Sequence, residues 1–178
     1  RSPGALDGLD ALGMQRAISA LTPSTNRVAA DEATYDLHIL IRYELELALL
    51  AGDLQVAELP GAWNERYRHY LGVTPPNARE GCLQDVHWAL GDFGYFPTYT
   101  IGNLYAAQLM DAYGKNADLD AQIAEGNLRA LRDWLAAQVY AHGAERGAEE
   151  VIEAATGKGM SSDAFFARLS SRVAQLAG

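Results

Sequence analysis

Four side chains able to take part in catalysis or binding lie within five consecutive residues. An amide, a carboxylate, an imidazole and an indole follow one another at Gln84, Asp85, His87 and Trp88. Each of these groups needs a hydrogen-bond partner if it is buried. On a helix, Gln84 would share a side with His87 and Trp88, and Asp85 would point elsewhere. From these residues alone, a polar network that fixes helix packing is favoured over a functional site.

A loop with two glycines follows at residues 91–97 and brings two phenols close to the imidazole. Hydroxyl groups of Tyr95 and Tyr99 beside His87 could donate hydrogen bonds to an oxyanion during acyl transfer. Tyrosines are also ordinary packing residues with one polar end. Both interpretations stay open at this point.

Arg27 is a second candidate for recognition. A guanidinium partly enclosed by apolar residues could bind a carboxylate through two parallel hydrogen bonds. The residues alone favour an ion pair with Asp31 or Glu32 instead. Four polar side chains, spaced four, three and four residues apart, would share one helix side and indicate a structural network: Asp31, Tyr35, His38 and Arg42.

The histidine spacing argues against a metal site within the chain. The four histidines are His38, His69, His87 and His142. No two stand four residues apart, so the His-Glu-x-x-His helix of zinc peptidases is absent. A site built from the first and third of them with Asp31 or Asp85 is disfavoured, because metal-binding helices usually contribute two ligands each. We expect no metal in this chain alone.

Helix signals run through the whole chain, and no convincing alternating strand pattern is present. The prediction is therefore an all-α fold of about seven helices. Helices are predicted over residues 7–21, 32–51, 60–71, 77–88, 99–113, 118–125, 128–142 and 163–176. Asn77 with Glu80 is the predicted capping pair of the fourth, and Asp118 the predicted cap of the sixth. The second helix is apolar nearly all round, which predicts burial on most sides. Gly102 interrupts the fifth, where a missing side chain would permit close backbone approach.

Length, composition and charge predict one ordinary globular domain over residues 1–178. Fourteen Lys and Arg against 23 Asp and Glu give a net charge of −9. This balance argues against nonspecific nucleic-acid binding, because clustered cations supply that binding. No apolar run approaches the ~20 residues that span a bilayer.

The single cysteine and the first residues bear on processing and compartment. Cys82 excludes an internal disulfide framework and fits a reducing compartment, and an inert buried thiol is expected. Residues 1–4 have neither an initiator Met nor the apolar core of a signal peptide. They are interpreted as a cut end.

Four stretches carry motifs in a fixed order. Residues 26–31 read Asn-Arg-Val-Ala-Ala-Asp, and residues 81–88 read Gly-Cys-Leu-Gln-Asp-Val-His-Trp. Residues 94–99 and 102–108 add Gly-Tyr-Phe-Pro-Thr-Tyr and Gly-Asn-Leu-Tyr-Ala-Ala-Gln. Together they resemble the C-terminal half of the carboxypeptidase Taq family, the M32 zinc metallocarboxypeptidases, whose motifs are Ile-Arg-x-x-Ala-Asp and Gly-x-x-Gln-Asp-x-His-Trp. The resemblance is dense over residues 23–108, with Asn replacing the first Ile.

The resemblance implies a zincin-like helical metallopeptidase with a deep groove, of which this chain forms one wall. On that wall Arg27 would bind the terminal carboxylate of a peptide. His87, with Tyr95 or Tyr99, would donate to the oxyanion. The implied site residues are Arg27, Gln84 and Asp85 for substrate binding and orientation, and His87, Tyr95 and Tyr99 for catalysis.

The family's zinc-binding His-Glu-x-x-His and its further Glu have no counterpart in this chain. The resemblance therefore implies that zinc and the general base come from a missing N-terminal half, and that this chain alone is inactive. It implies peptide C-termini as substrates and a cytoplasmic homodimer as the parent enzyme. The alternative is a stand-alone helical domain that binds peptides or partner helices without catalysis.

Overall fold

The computed structural model describes residue 8 and residues 10–177 of the chain, with side chains up to residue 175. Within these residues every regular element is helical and no strand occurs, which confirms the all-α prediction. The helices are α1 Ala11–Ile18, α2 Tyr35–Ala51, α3 Leu59–Leu71, α4 His87–Leu90, α5 Pro97–Gly114, α6 Leu119–Ala124, α7 Arg129–Gln138, α8 Ala148–Thr156 and α9 Asp163–Ala177. Short 3-10 helices span Arg27–Ala29, Val56–Glu58 and Tyr140–His142.

Several helix predictions need adjustment. The first described helix begins at Ala11, and the predicted beginning at residue 7 and the interpretation of residues 1–4 lie outside the described residues. Helix α8 was not predicted. No described helix is both long and apolar enough to cross a membrane.

The described residues divide into two compact units. One comprises the residues up to Thr100 together with those from Val173, and the other is Ile101–Arg172. All six predicted site residues belong to the first unit. The predicted single domain over residues 1–178 stays a prediction.

The core of the first unit forms where α2 packs on α3. Ile41 and Leu45 of α2 contact Trp63 and Tyr67 of α3, and the last two rings stack at 5.1 Å between centroids. Burying a side chain of this size contributes about 1.5–3 kcal/mol. Cys82 lies in the same cluster, and burial raises the pKa of its thiol, which supports its interpretation as an inert thiol.

Local signals set the ends of α2. The Asp31 carboxylate accepts from the backbone N–H groups of Ala33 and Thr34, at 3.0 and 2.9 Å, just before the first turn. At the other end, Gly52 adopts φ 81°, a left-handed conformation that favours glycine. The prediction that α2 is buried nearly all round is wrong. One side carries four apolar side chains that are 37% to 63% exposed: Leu40, Tyr43, Leu47 and Leu50.

The predicted helix over residues 77–88 is also wrong, since only α4 is helical there. The Asn77 side chain does accept from the N–H of Glu80, at 3.0 Å, as the capping pattern predicted. Beyond it, the Gln84 amide donates to the carbonyl oxygens of Glu80 and Gly81, at 3.0 and 3.2 Å. These carbonyls are therefore satisfied by a side chain, and turns replace the helix.

In the second unit, the structure bears on the predictions for the cap of α6 and for Gly102 of α5. Asp118 caps α6 as predicted, accepting from the N–H of Ala121 at 2.9 Å. A side chain at Gly102 would meet nothing within 4 Å, so the expected close backbone approach is not found among the described residues.

Candidate active site

A cluster of ion pairs is centred on Asp85. Its Oδ1 accepts from Nε and Nη2 of Arg27, at 3.1 and 2.8 Å. Its Oδ2 accepts from Nε of Arg42 at 2.7 Å, and Nη2 of Arg42 lies 2.6 Å away. Both carboxylate oxygens are thus held by guanidinium groups. Two positive charges against one negative leave the three side chains with a net charge of +1.

Arg27 is held on several sides and is only 8% exposed. Its Nη1 donates to the Tyr35 hydroxyl at 3.2 Å, and its guanidinium carbon lies 4.8 Å from the centre of the Tyr99 ring. Arg27 pairs with Asp85, whereas the sequence alone favoured Asp31 or Glu32; the Asp31 carboxylate accepts from the backbone N–H groups of Ala33 and Thr34. The guanidinium is therefore oriented before any ligand arrives.

The charges in the cluster favour one another. Burial of Asp85 disfavours its charged form, but the charge of Arg42 and the hydrogen bonds from both arginines outweigh burial and lower its pKa. For Arg27, burial is again opposed by hydrogen bonding and attraction to Asp85, and the pKa rises. Both shifts favour the charged forms of Asp85 and Arg27 at neutral pH.

Arg42 is completely buried within the same cluster. Its Nη1 donates to the His38 carbonyl at 2.8 Å and to the Tyr67 hydroxyl at 3.1 Å. Its guanidinium carbon lies 4.6 Å from the centre of the Trp63 ring. The residue was predicted to belong to a structural network, and that network includes Asp85, 43 positions away.

His87 and Tyr99 form the second part of the cluster. The imidazole Nε2 and the phenol oxygen are joined by a hydrogen bond of 3.1 Å. The other nitrogen, Nδ1, lies 3.9 Å from Oδ1 of Asp85 and has no hydrogen-bond partner among the described residues. The Tyr95 ring stands 5.5 Å from the His87 ring and is 49% exposed. Tyr99 is thus the tyrosine bonded to His87, and Tyr95 lies at the exposed side.

Gln84 ties the Arg27 segment to the turn that carries Asp85. Its Oε1 accepts from the backbone N–H of Arg27 at 3.1 Å, and its Nε2 donates to the Thr25 carbonyl at 3.0 Å. The prediction that Gln84 shares a helix side with His87 while Asp85 points elsewhere is wrong, because residues 81–86 are not helical. Asp85 lies at the centre of the cluster instead.

Glu46 is a residue that sequence reasoning missed. Its carboxylate is 3% exposed and accepts from the Trp88 indole at 2.7 Å and from the backbone N–H of Gly94. It therefore links α2 to α4 and to the glycine loop that carries Tyr95. The sequence did contain an indication of this role, because Glu46 is a charged residue four positions after Arg42 in a largely apolar helix.

His38 is buried against Tyr67 and cannot easily accept a proton. Its Nδ1 lies 3.0 Å from the Tyr67 hydroxyl. The Tyr67 oxygen also accepts from Nη1 of Arg42, at 3.1 Å. Burial, assisted by the charge of Arg42, lowers the pKa of His38 to about 4. The imidazole is neutral at physiological pH.

These side chains do not fit a metal centre. No group of three or more His, Cys, Asp or Glu with suitable placement occurs in the part of the chain that the structure describes. Both oxygens of Asp85, one of the ligands considered from the sequence, are already held by arginines. The cluster offers hydrogen-bond donors and positive charge, which suit an anion or a carbonyl oxygen.

The chain is similar to known carboxypeptidases over most of its length. The family model for carboxypeptidase Taq (M32) metallopeptidase matches residues 1–173. Thermostable carboxypeptidase 1 of Thermus thermophilus is 47% identical over 163 residues, which are 91% of this chain and 32% of that protein. Carboxypeptidase 1 of Bacillus subtilis is 46% identical over 144 residues, 80% of this chain and 29% of that protein. The chain spans about a third of the length of these relatives.

A solved structure shows the same fold within a longer chain. The crystal structure of an M32 carboxypeptidase from Deinococcus radiodurans R1 aligns with a TM-score of 0.91 and 38% identity, covering 97% of this chain and 35% of that one. A family model that matches nearly the whole chain, relatives above 40% identity and a shared helical fold point the same way. The chain belongs to the carboxypeptidase Taq (M32) metallopeptidase family.

Proposed function

We propose that this chain forms the substrate-binding wall of a metallocarboxypeptidase that removes residues from peptide C-termini. The observation that carries the proposal is the convergence of Arg27, His87 and Tyr99. The Arg27 guanidinium stacks 4.8 Å from the Tyr99 ring, and the Tyr99 hydroxyl bonds to His87. An anion-binding guanidinium and a histidine–tyrosine pair that can donate to an oxyanion thus lie next to each other.

The roles follow from the chemistry of each group. Arg27 would bind the terminal carboxylate of the peptide through the N–H groups that Asp85 and Tyr35 leave free. With the proton on Nε2, His87 donates to the Tyr99 oxygen, and the Tyr99 proton is then free for the carbonyl oxygen of the substrate. Gln84 and Asp85 hold Arg27 in place, and Tyr95 lines the exposed side.

We place the metal, zinc or another divalent ion, on family segments that this chain does not contain. The His-Glu-x-x-His motif that holds zinc in such enzymes has no counterpart here. Within a complete enzyme the ion would polarise the scissile carbonyl.

The complete enzyme that contains this chain is expected to be a cytoplasmic homodimer. The single buried thiol supports a reducing compartment, and the net charge of −9 makes nucleic acid an improbable partner.

The test compares two substrates in a complete enzyme that carries this chain. The unaltered enzyme should cleave an acylated dipeptide with a free carboxylate and discriminate against its C-terminal amide. Arg27→Ala should lower kcat/KM for the free carboxylate about 100-fold, because a charge-assisted contact is lost.

Arg66→Ala is the matched control, since Arg66 pairs with Glu44 on the exposed part of α2 and α3. It should leave the discrimination intact. If Arg27→Ala cleaves both substrates as the unaltered enzyme does, Arg27 has no carboxylate role.

A further inference from the structure

Arg42 is buried beneath the proposed carboxylate site and is 0% exposed, so it does not touch a ligand itself. It acts on Arg27 only through Asp85. By holding Oδ2, Arg42 leaves Oδ1 as the oxygen that Arg27 contacts through Nε and Nη2. The orientation of the Arg27 guanidinium therefore depends on the orientation of Asp85.

Arg42 is itself fixed by three further contacts. It donates to the His38 carbonyl and the Tyr67 hydroxyl, and its guanidinium packs on the Trp63 ring. All three partners belong to the packed α2 and α3 helices, and the three side chains are less than 2% exposed. Asp85, which follows a turn segment, is thus anchored to the rigid part of the unit.

The charge count gives Arg42 a second effect. Asp85 and Arg27 alone would sum to zero, and such a pair has little long-range attraction for an incoming anion. Arg42 adds one positive charge in a buried environment where solvent screens poorly. Arg27, Arg42 and Asp85 then have a net charge of +1 together, which favours a carboxylate ligand.

We propose that Arg42 is a positioning residue of the carboxylate site: through Asp85 it orients Arg27, and its charge leaves the cluster net positive. The inference rests on the proposed function, because it takes a peptide carboxylate as the ligand of Arg27. It goes beyond that function by assigning the affinity for the carboxylate partly to a residue that never contacts it.

The test titrates the 178-residue chain with acetyl-dialanine and, separately, with its C-terminal amide, followed by NMR. The unaltered chain binds the free carboxylate more tightly than the amide. Arg42→Gln brings the cluster to zero charge and weakens carboxylate binding about tenfold, with no change for the amide. Arg42→Gln combined with Asp85→Asn restores a net charge of +1 on Arg27 without its orienting carboxylate, and therefore recovers part of the lost affinity. A purely structural role would make the double variant worse.

Arg66→Gln, in an ion pair outside the cluster, is the control and leaves carboxylate binding unchanged. If Arg42→Gln does not fold, the role of Arg42 is tested with Arg42→Lys and with the double variant. The proposal is supported if both variants still bind the carboxylate more tightly than the amide. It is overturned if either variant loses this preference. Unchanged binding by a folded Arg42→Gln chain overturns the role of Arg42 alone. Absence of any preference in the unaltered chain overturns the carboxylate site as well.

Discussion

His87 is bonded through only one of its two ring nitrogens. Nε2 contacts Tyr99, whereas Nδ1 lies 3.9 Å from Asp85, too far for a hydrogen bond. An orphaned buried nitrogen is costly in a packed interior, and such groups concentrate at functional sites. The sequence could single out His87 and a nearby tyrosine. It could not select Tyr99 over Tyr95, because that depends on how the loop enters α5.

Replacing His87 or its partner should affect catalysis more than binding. In a complete enzyme, His87→Ala should lower kcat about 100-fold, because an oxyanion donor network is lost. Tyr99→Phe should give a loss of the same order, and Tyr95→Phe a smaller one. Steady-state kinetics separate kcat from KM. A decrease confined to thermal stability, with kcat preserved in folded protein, would contradict the assignment.

At the scale of elements, α2 carries four polar side chains on one side: Tyr35, His38 and Arg42, which lie in or beside the Asp85 cluster, and Glu46, which bonds Trp88 outside it. Their spacing of three, four and four residues is helical, so the sequence could predict that they are neighbours. The turn over residues 77–86 was less predictable. Two of its carbonyls, those of Glu80 and Gly81, accept from the Gln84 side chain, and helix propensity alone does not report such competition.

Gly81→Ala should destabilise the chain by about 1 kcal/mol. A Cβ at this position would lie 3.1 Å from the Asn77 carbonyl oxygen and 3.4 Å from Cβ of Pro75, so the turn must shift. Chemical denaturation measures the free energy of unfolding.

Gly102→Ala in α5 is the matched control, because its Cβ would meet no atom within 4 Å. It should stabilise the chain by up to about 1 kcal/mol through helix propensity. If both substitutions change the free energy of unfolding equally, the added Cβ at position 81 is accommodated beside the Asn77 carbonyl without strain.

At the scale of the whole molecule, buried ionisable groups make stability depend on pH. His38 has its pKa lowered from 6.5 to about 4 by burial and by Arg42, so the unfolded chain binds this proton more readily. The resulting stability is fully present above the unfolded pKa and is lost as the pH falls from about 6.5 to about 4. The lowered pKa of Asp85 adds acid sensitivity at still lower pH, below the usual carboxyl range.

The free energy of unfolding should therefore fall by roughly 3 kcal/mol between pH 6.5 and pH 4 because of His38. His38→Asn, which keeps a polar atom near Tyr67, should flatten the curve in this range. His69→Gln, an exposed position on α3, serves as the control and should leave the slope unaltered. Denaturation at several pH values provides the measurement, and an unchanged slope in His38→Asn would contradict this explanation.

The sequence by itself determined the helical class, most helix ends and the residue types of the cluster. These features depend on contacts within about four positions, such as the Asp118 cap of α6 and the left-handed Gly52 after α2. Only the tertiary structure decided the partners. Arg27 and Asp85 are 58 positions apart, and Arg42 and Asp85 are 43 apart. Such pairs form only after α2, α3 and the turn have packed. A buried charge is stable only when its partner lies at hydrogen-bonding distance, and this distance depends on the tertiary packing and not on neighbouring residues in the sequence.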